Sequence, residues 1–138
     1  MTGRYTISMT FTEAVKTCLT KKYFRISGRA TRSEYWWFQL FHLLVLVGLT
    51  LIGVIVQQDF LLFLIGVYYL CMLCPLFCVQ IRRLHDRGSS GWCALLSLIP
   101  YVGGFIVFIM TLSESDDDNE WGPDPHKQLD APISTSME

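Results

Sequence analysis

From Tyr35 to Ile81 the sequence carries one formal charge, Asp59. This near-absence of charge constrains the fold more than any other feature. It divides into Tyr35–Val56, 22 residues with His42 taken as neutral, and Phe60–Val79, 20 residues. At 1.5 Å per helical residue these runs reach about 33 and 30 Å, against a bilayer hydrocarbon core of about 30 Å. In lipid each segment must satisfy its own backbone N–H and C=O groups, which selects helices. Gln57, Gln58 and Asp59 alone separate the two runs, enough for a tight turn between antiparallel helices. Tyr35, Trp36, Trp37 and Phe38 open the first run, where a membrane protein places its aromatic belt. Pro75 removes a backbone donor from the second run and predicts a kink unless neighbours compensate.

A third apolar run, Trp92–Leu112, has 21 residues and contains Pro100, Gly103 and Gly104. Its length predicts a third span. The expected fold is all-α: three transmembrane helices (35–56, 60–79 and 92–112) in a single membrane domain, preceded by a short amphipathic interfacial helix at 10–24. A competing reading breaks the third run at Pro100–Gly104 into a re-entrant hairpin.

Charge orients the spans. The whole chain has a net charge of −1, yet residues 1–34 carry +5, residues 82–87 carry +2 and residues 113–138 carry −7. Lys and Arg near span ends stay on the cytoplasmic side. This places the N-terminus and loop 80–91 in the cytoplasm and the Gln57–Asp59 turn outside. With three full spans the acidic segment 113–125 and the C-terminus are periplasmic. In the re-entrant alternative they stay inside, near the basic segments. The first apolar run is too long for the core of a cleaved signal and lacks a small-x-small exit, so it reads as an uncleaved anchor.

Thr10 and Glu13 form a T-x-x-E capping box. Phe11, Ala14, Val15, Cys18 and Leu19 then share one helical face. Lys16, Lys21 and Lys22 occupy other faces or the end. Such a helix either packs on the protein's own cytoplasmic surface or lies in the headgroups, and both can hold. Gly28 ends it. Thr31 and Glu34 make a second capping box, which starts the next helix near Arg32. Residues 1–9 are expected to be loose, and 126–138, which show no apolar period, to be disordered.

Three motifs stand out. They are Gly28-Arg29-Ala30-Thr31-Arg32-Ser33-Glu34-Tyr35-Trp36, then Arg82-Arg83-Leu84-His85-Asp86 with Ser90-Gly91-Trp92, and finally Asn119-Glu120-Trp121-Gly122-Pro123-Asp124-Pro125. In that order, with apolar runs between, the chain resembles the domain of unknown function 805 family, the YhaH-like bacterial inner-membrane proteins. The resemblance covers about Tyr23 to Pro125. It implies a small integral protein of the bacterial inner membrane and no established activity, so no catalytic residue carries over.

Arginine offers a planar fork suited to phosphate or carboxylate. Arg29, Arg32, Arg82 and Arg83, with Glu34 and Asp86 orienting them and His85 alongside, are expected to form one cytoplasmic cluster. Two readings follow: a site for an anionic lipid headgroup or a partner's acidic segment, or an internal ion-pair network that locks the helices. Gln39, His42 and Thr50 share a face of the first span. That face is either interhelical hydrogen bonding or part of a proton or solute path, which would need an oligomer. Cys71, Cys74 and Cys78 also share a face and read as small apolar packers. The five cysteines are odd in number and mostly lie in apolar runs, which argues against a disulfide framework.

No cofactor or metal is expected. His85-Asp86 is one pair where zinc takes about three or four ligands, and Asp116–Glu120 lacks the glycine of a calcium loop. No phosphate loop, dinucleotide fingerprint or nucleophile elbow occurs. The basic residues are explained by topology rather than by nucleic acid. The expected function is that of a non-enzymatic interaction, lipid-binding or accessory protein. The alternative is a protomer of an oligomeric small-solute or proton transporter or channel. Expected partners are membrane lipids and a protein partner or further copies of the chain.

Overall fold

A computed structural model of the chain describes residues 8–56, 59–125 and 127. Residues 1–7 of the expected loose N-terminus, Gln57 and Gln58 of the expected turn, and all of the expected tail except Lys127 lie outside the described residues. Helix α1 is Phe11–Lys16 and runs on into a π-helical turn, Thr17–Lys21. Helix α2 is Arg32–Val56 and α3 is Asp59–Asp86. A 3-10 helix, Gly91–Leu98, and helix α4, Val102–Leu112, follow. The described residues contain no strand, only an isolated bridge between Asn119 and Gly122.

Helices α2 and α3 are long and apolar enough to cross a membrane, and little of their most apolar stretch is buried in the protein itself. Leu43, Leu44, Leu51, Ile55, Phe60, Leu62 and Leu70 all face outward. So much contiguous apolar surface is unsuited to water and suited to lipid. Helix α3 outruns its apolar stretch and carries Arg82, Arg83, His85 and Asp86 within its last turns, where sequence had placed a loop. Pro75 is accommodated by chemistry. Its missing N–H would orphan the Cys71 carbonyl, and the Tyr23 hydroxyl donates to that carbonyl instead.

The expected third full span does not form. Ile99, before Pro100, is extended at φ −78°, ψ 116°, as steric clash with the proline ring demands. Tyr101 then takes φ 63°, ψ −65°, and the Val102 N–H bonds the Pro100 carbonyl at 2.7 Å. That is a γ-turn of the rarer positive-φ form. The chain reverses there. Gly103 backs onto the 3-10 segment so closely that an added Cβ would lie 1.7 Å from the Leu96 carbonyl oxygen. The 11 residues of α4 rise about 17 Å, roughly half a bilayer core. The hairpin brings residues 113–122 back to the end of the molecule where α2 begins and α3 stops. There the Asp116 N–H donates to the Asp86 carbonyl at 3.0 Å. The expectation that the acidic segment sits across the bilayer from Arg29 and Asp86 is thereby corrected. The proline and the two glycines decide it, because the chain folds back where a through-helix would lose a bond.

Helix α1 is shorter than the expected 10–24. The Glu13 carboxylate accepts from the Thr10 N–H at 3.0 Å, as the capping box predicts. Its apolar face packs on the protein: Phe11 meets Trp37 edge-on with centroids 5.8 Å apart, and Ala14 and Cys18 are buried. Met9 is tied by its N–H to the Ser33 hydroxyl at 3.1 Å. The core joins Cys18, Ala30, Tyr35, Phe38 and Val79.

Candidate functional site

Every helix leaves its last carbonyls without intrahelical partners. At the end of α3 those carbonyls organise the site. Gly88, at φ 66°, closes a Schellman turn: Gly88 N–H bonds the His85 carbonyl and Ser89 N–H the Leu84 carbonyl, each at 3.0 Å. Arg29 supplies the rest. Its Nε donates to Asp86 Oδ1 at 2.9 Å and one Nη2 N–H to the Asp86 carbonyl at 3.0 Å. The other goes to the Asp116 carbonyl. Nη1 reaches the carbonyls of Asp117 and Gly122 at 2.9 and 3.1 Å. All five guanidinium N–H groups are thus used.

The end of α4 is treated the same way. Arg83 donates from Nε to the Thr111 carbonyl at 3.2 Å and from Nη2 to the Ser113 carbonyl. Its Nη1 pairs with Asp86 and reaches the Ser115 hydroxyl at 3.3 Å. Arg87 adds a bond to the Met110 carbonyl at 3.3 Å. A second carboxylate, Glu34, pairs with Arg82 and, at 3.3 Å, with Lys22. The Cys18 thiol lies 3.7 Å from Glu34 Oε1. Burial, and then the negative Glu34, push that thiol up to about 11. The second capping box is therefore half formed. Thr31 Oγ1 accepts the Glu34 N–H at 3.2 Å, while the Glu34 carboxylate turns inward to Arg82.

The three motifs meet here. The Trp121 indole stacks on the His85 ring at 3.8 Å and 4°. Asn119 Nδ2 donates to the His85 carbonyl at 3.0 Å. Gly91 lies so near His85 that a Cβ would sit 3.0 Å from Nε2, which explains a glycine after Ser90. The acidic run contributes mainly backbone: Asp116 and Asp117 offer carbonyls to Arg29, and Asp118 Oδ1 accepts the Asp124 N–H at 2.8 Å.

Arg29, Glu34, Arg82, Arg83, His85 and Asp86 are thus all buried together. Arg32 is not among them; it is exposed and makes no hydrogen bond or ion pair among the described residues. The missed participants are Lys22, Cys18 and residues 113–122. The signal for the last group was the closing motif itself, whose distance in sequence concealed its contact. The cluster holds three buried guanidiniums, two carboxylates and two helix C-termini, each worth about half a negative charge. It is close to neutral on its own groups. Arg82 Nε is buried without a partner among the described residues. No three His, Cys, Asp or Glu side chains converge as a metal site among the described residues.

The expected polar face divides. Gln39 and His42 line a lateral groove of about 400 Å³ that also meets Trp36, Gln80, Ser97 and Phe108. His42 Nδ1 lies 3.1 Å from the Tyr68 hydroxyl. Thr50 is exposed and bonds the Leu46 carbonyl of its own helix at 2.8 Å.

Two lipid-facing helices gathered at one end by a buried arginine clasp define a helical integral membrane protein. The likeness to known proteins agrees. The chain belongs to the family described as "Protein of unknown function (DUF805)", whose model matches residues 23–123. It is 36% identical over 106 residues to the inner membrane protein YhaI of Escherichia coli (strain K12), covering 76% of this chain and 89% of that one. It is 35% identical over 115 residues to inner membrane protein YhaH of the same strain, covering 76% of this chain and 90% of that one. No solved structure matches significantly.

Proposed function

We propose that the chain is a non-enzymatic binding protein of the bacterial inner membrane, serving lipid or an accessory role, and that the arginine cluster is its lock rather than its ligand site. One observation carries this reading. All five N–H groups of Arg29 and three nitrogens of Arg83 end on acceptors of the chain itself, so little donor capacity remains for an anion. Removing one partner of a buried ion pair typically costs about 3–5 kcal/mol. Arg82→Ala and Arg83→Ala are therefore expected to misfold. Loss of bound lipid with unchanged folding in those variants would contradict the lock.

The same reading assigns the sides. The N-terminal segment, residues 87–90 and residues 113–125 all face the cytoplasm, with α1 at the interface and the third run re-entrant from that side. The basic excess of residues 1–34 and the contacts of Arg29 with Asp116 and Asp117 support it. A C-terminal reporter active only in the cytoplasm is expected to give a strong signal; a silent one overturns the assignment. The competing reading, a protomer of an oligomeric transporter or channel, draws on His42 and Tyr68, whose rings stack at 5.6 Å within the spans. Proton flux in reconstituted vesicles that vanishes in His42→Leu would establish it and displace the binding reading.

A further inference from the structure

The groove between α2, α3 and the re-entrant hairpin is, we propose, the seat of one anionic glycerophospholipid of the surrounding bilayer. Its phosphate lies at Arg32, its ester region against Gln39, Gln80 and Ser97, and one acyl chain along Leu43 and Leu46. This deepens the binding reading above and rests on it.

The groove is layered as such a lipid is. Arg32, Trp36, Gln39, Leu43 and Leu46 fall on one stripe of α2, since offsets of 4, 7, 11 and 14 return within about 40° of the start at 100° per residue. Along that stripe the chemistry passes from cation through amide to hydrocarbon over about 21 Å. The other motif arginines, 29, 82, 83 and 87, are engaged within the chain. Arg32 opens α2 one turn before Trp36, which lines the groove; it is exposed and has no hydrogen-bond or ion-pair partner among the described residues. On the neighbouring helix α3, the Gln80 amide lines the groove and has no hydrogen-bond partner among the described residues. An amide facing lipid without a partner is costly, which favours an occupant that brings ester oxygens. Ser97 spends its proton on the Ala94 carbonyl, which leaves the Gln80 amide as the donor for ester oxygens at this level. Gly104 leaves the groove open: a Cβ there would meet nothing within 4 Å.

A second copy of the chain fits less well. Between Tyr35 and Ile81 its spans hold a single anion, Asp59, at the end of α3 remote from Arg32. A phospholipid supplies anion, ester oxygens and hydrocarbon in the required order.

The test uses the full chain reconstituted in vesicles of equal parts phosphatidylglycerol and phosphatidylcholine, extracted in mild detergent and examined by native mass spectrometry. The wild type is expected to retain one lipid per chain, with about a fivefold preference for phosphatidylglycerol, the scale of one surface arginine's attraction to an anionic lipid. Arg32→Gln should retain lipid without that preference. Gly104→Phe, which fills open space, should retain neither. Gln80→Leu, an independent change on α3, should weaken retention of both, and thermal melts report folding of each variant. Undiminished retention in Gly104→Phe and Gln80→Leu, or undiminished preference in Arg32→Gln, overturns the proposal. So does a wild-type dimer free of lipid that Gly104→Phe converts to monomer. Such results remove the lipid from the groove and leave the binding reading standing. That reading falls on a different outcome, the His42-dependent flux, while a folded Arg82→Ala sinks the lock alone.

Discussion

Gly103→Ala against Gly104→Ala separates a re-entrant hairpin from a continuous third span by the sign of one effect. In an uninterrupted lipid-facing helix each change would help, since alanine exceeds glycine in helix propensity by about 1 kcal/mol. In the hairpin the two part company. A Cβ on Gly103 falls 1.7 Å from the Leu96 carbonyl oxygen and 2.8 Å from Ile99 Cβ, while one on Gly104 meets open space. Relief at Gly103 requires roughly a further 1.5 Å between two backbones, in packing that yields poorly. Overpacking typically costs about 1–3 kcal/mol. The Leu96 carbonyl also accepts the Ile99 N–H at 2.9 Å, and losing that bond adds about 1 kcal/mol. After subtracting the propensity gain, Gly103→Ala should destabilise by about 1–3 kcal/mol, and Gly104→Ala should be neutral or stabilise by up to about 1 kcal/mol. The assay is unfolding in mixed micelles of rising dodecyl sulfate fraction, followed by far-ultraviolet circular dichroism. Equal, favourable shifts for both variants would refute the hairpin.

Two further outcomes follow from the clasp. Arg29→Lys keeps the charge but replaces a five-donor fork by a single ammonium, and should still cost about 2–3 kcal/mol in the same assay; wild-type stability would mean that charge alone matters there. Cys18, with its thiol near 11 instead of 9, holds about a hundredfold less thiolate at pH 8. It should resist maleimide in the folded protein and react on denaturation, read at the Cys18 peptide by mass spectrometry. Equal labelling in both states would show that the α1 packing is wrong.

Much of the architecture was legible because lipid imposes a blunt rule. Twenty uncharged residues must be helical, and the runs ending at Val56 and Val79 follow from that alone. Thr10 and Glu13 announced α1, and Arg29, Arg82 and Arg83 with Glu34 and Asp86 announced a cluster by type, although Arg32, expected with them, stays outside it. Two of the departures have a clear physical cause. Trp92–Leu112 has the length of a span, and length does not register that Ile99 before a proline is extended or that Gly103 invites a backbone to its side. Thr31-x-x-Glu34 has the pattern of a capping box, and the pattern does not register a buried guanidinium competing for the same carboxylate.

The linear order of residues determines on its own that this is a helical membrane protein with its positive charge gathered at one end. Hydrophobic length and charge are local properties, summed along the chain. Which groups the arginines hold is not local. Arg29 meets Gly122, and Arg83 meets Ser113, only because a γ-turn at Tyr101 reverses the chain and returns the ends of two helices to one place. There the orphaned carbonyls draw in the guanidiniums. The division between buried lock and open groove was decided by that return.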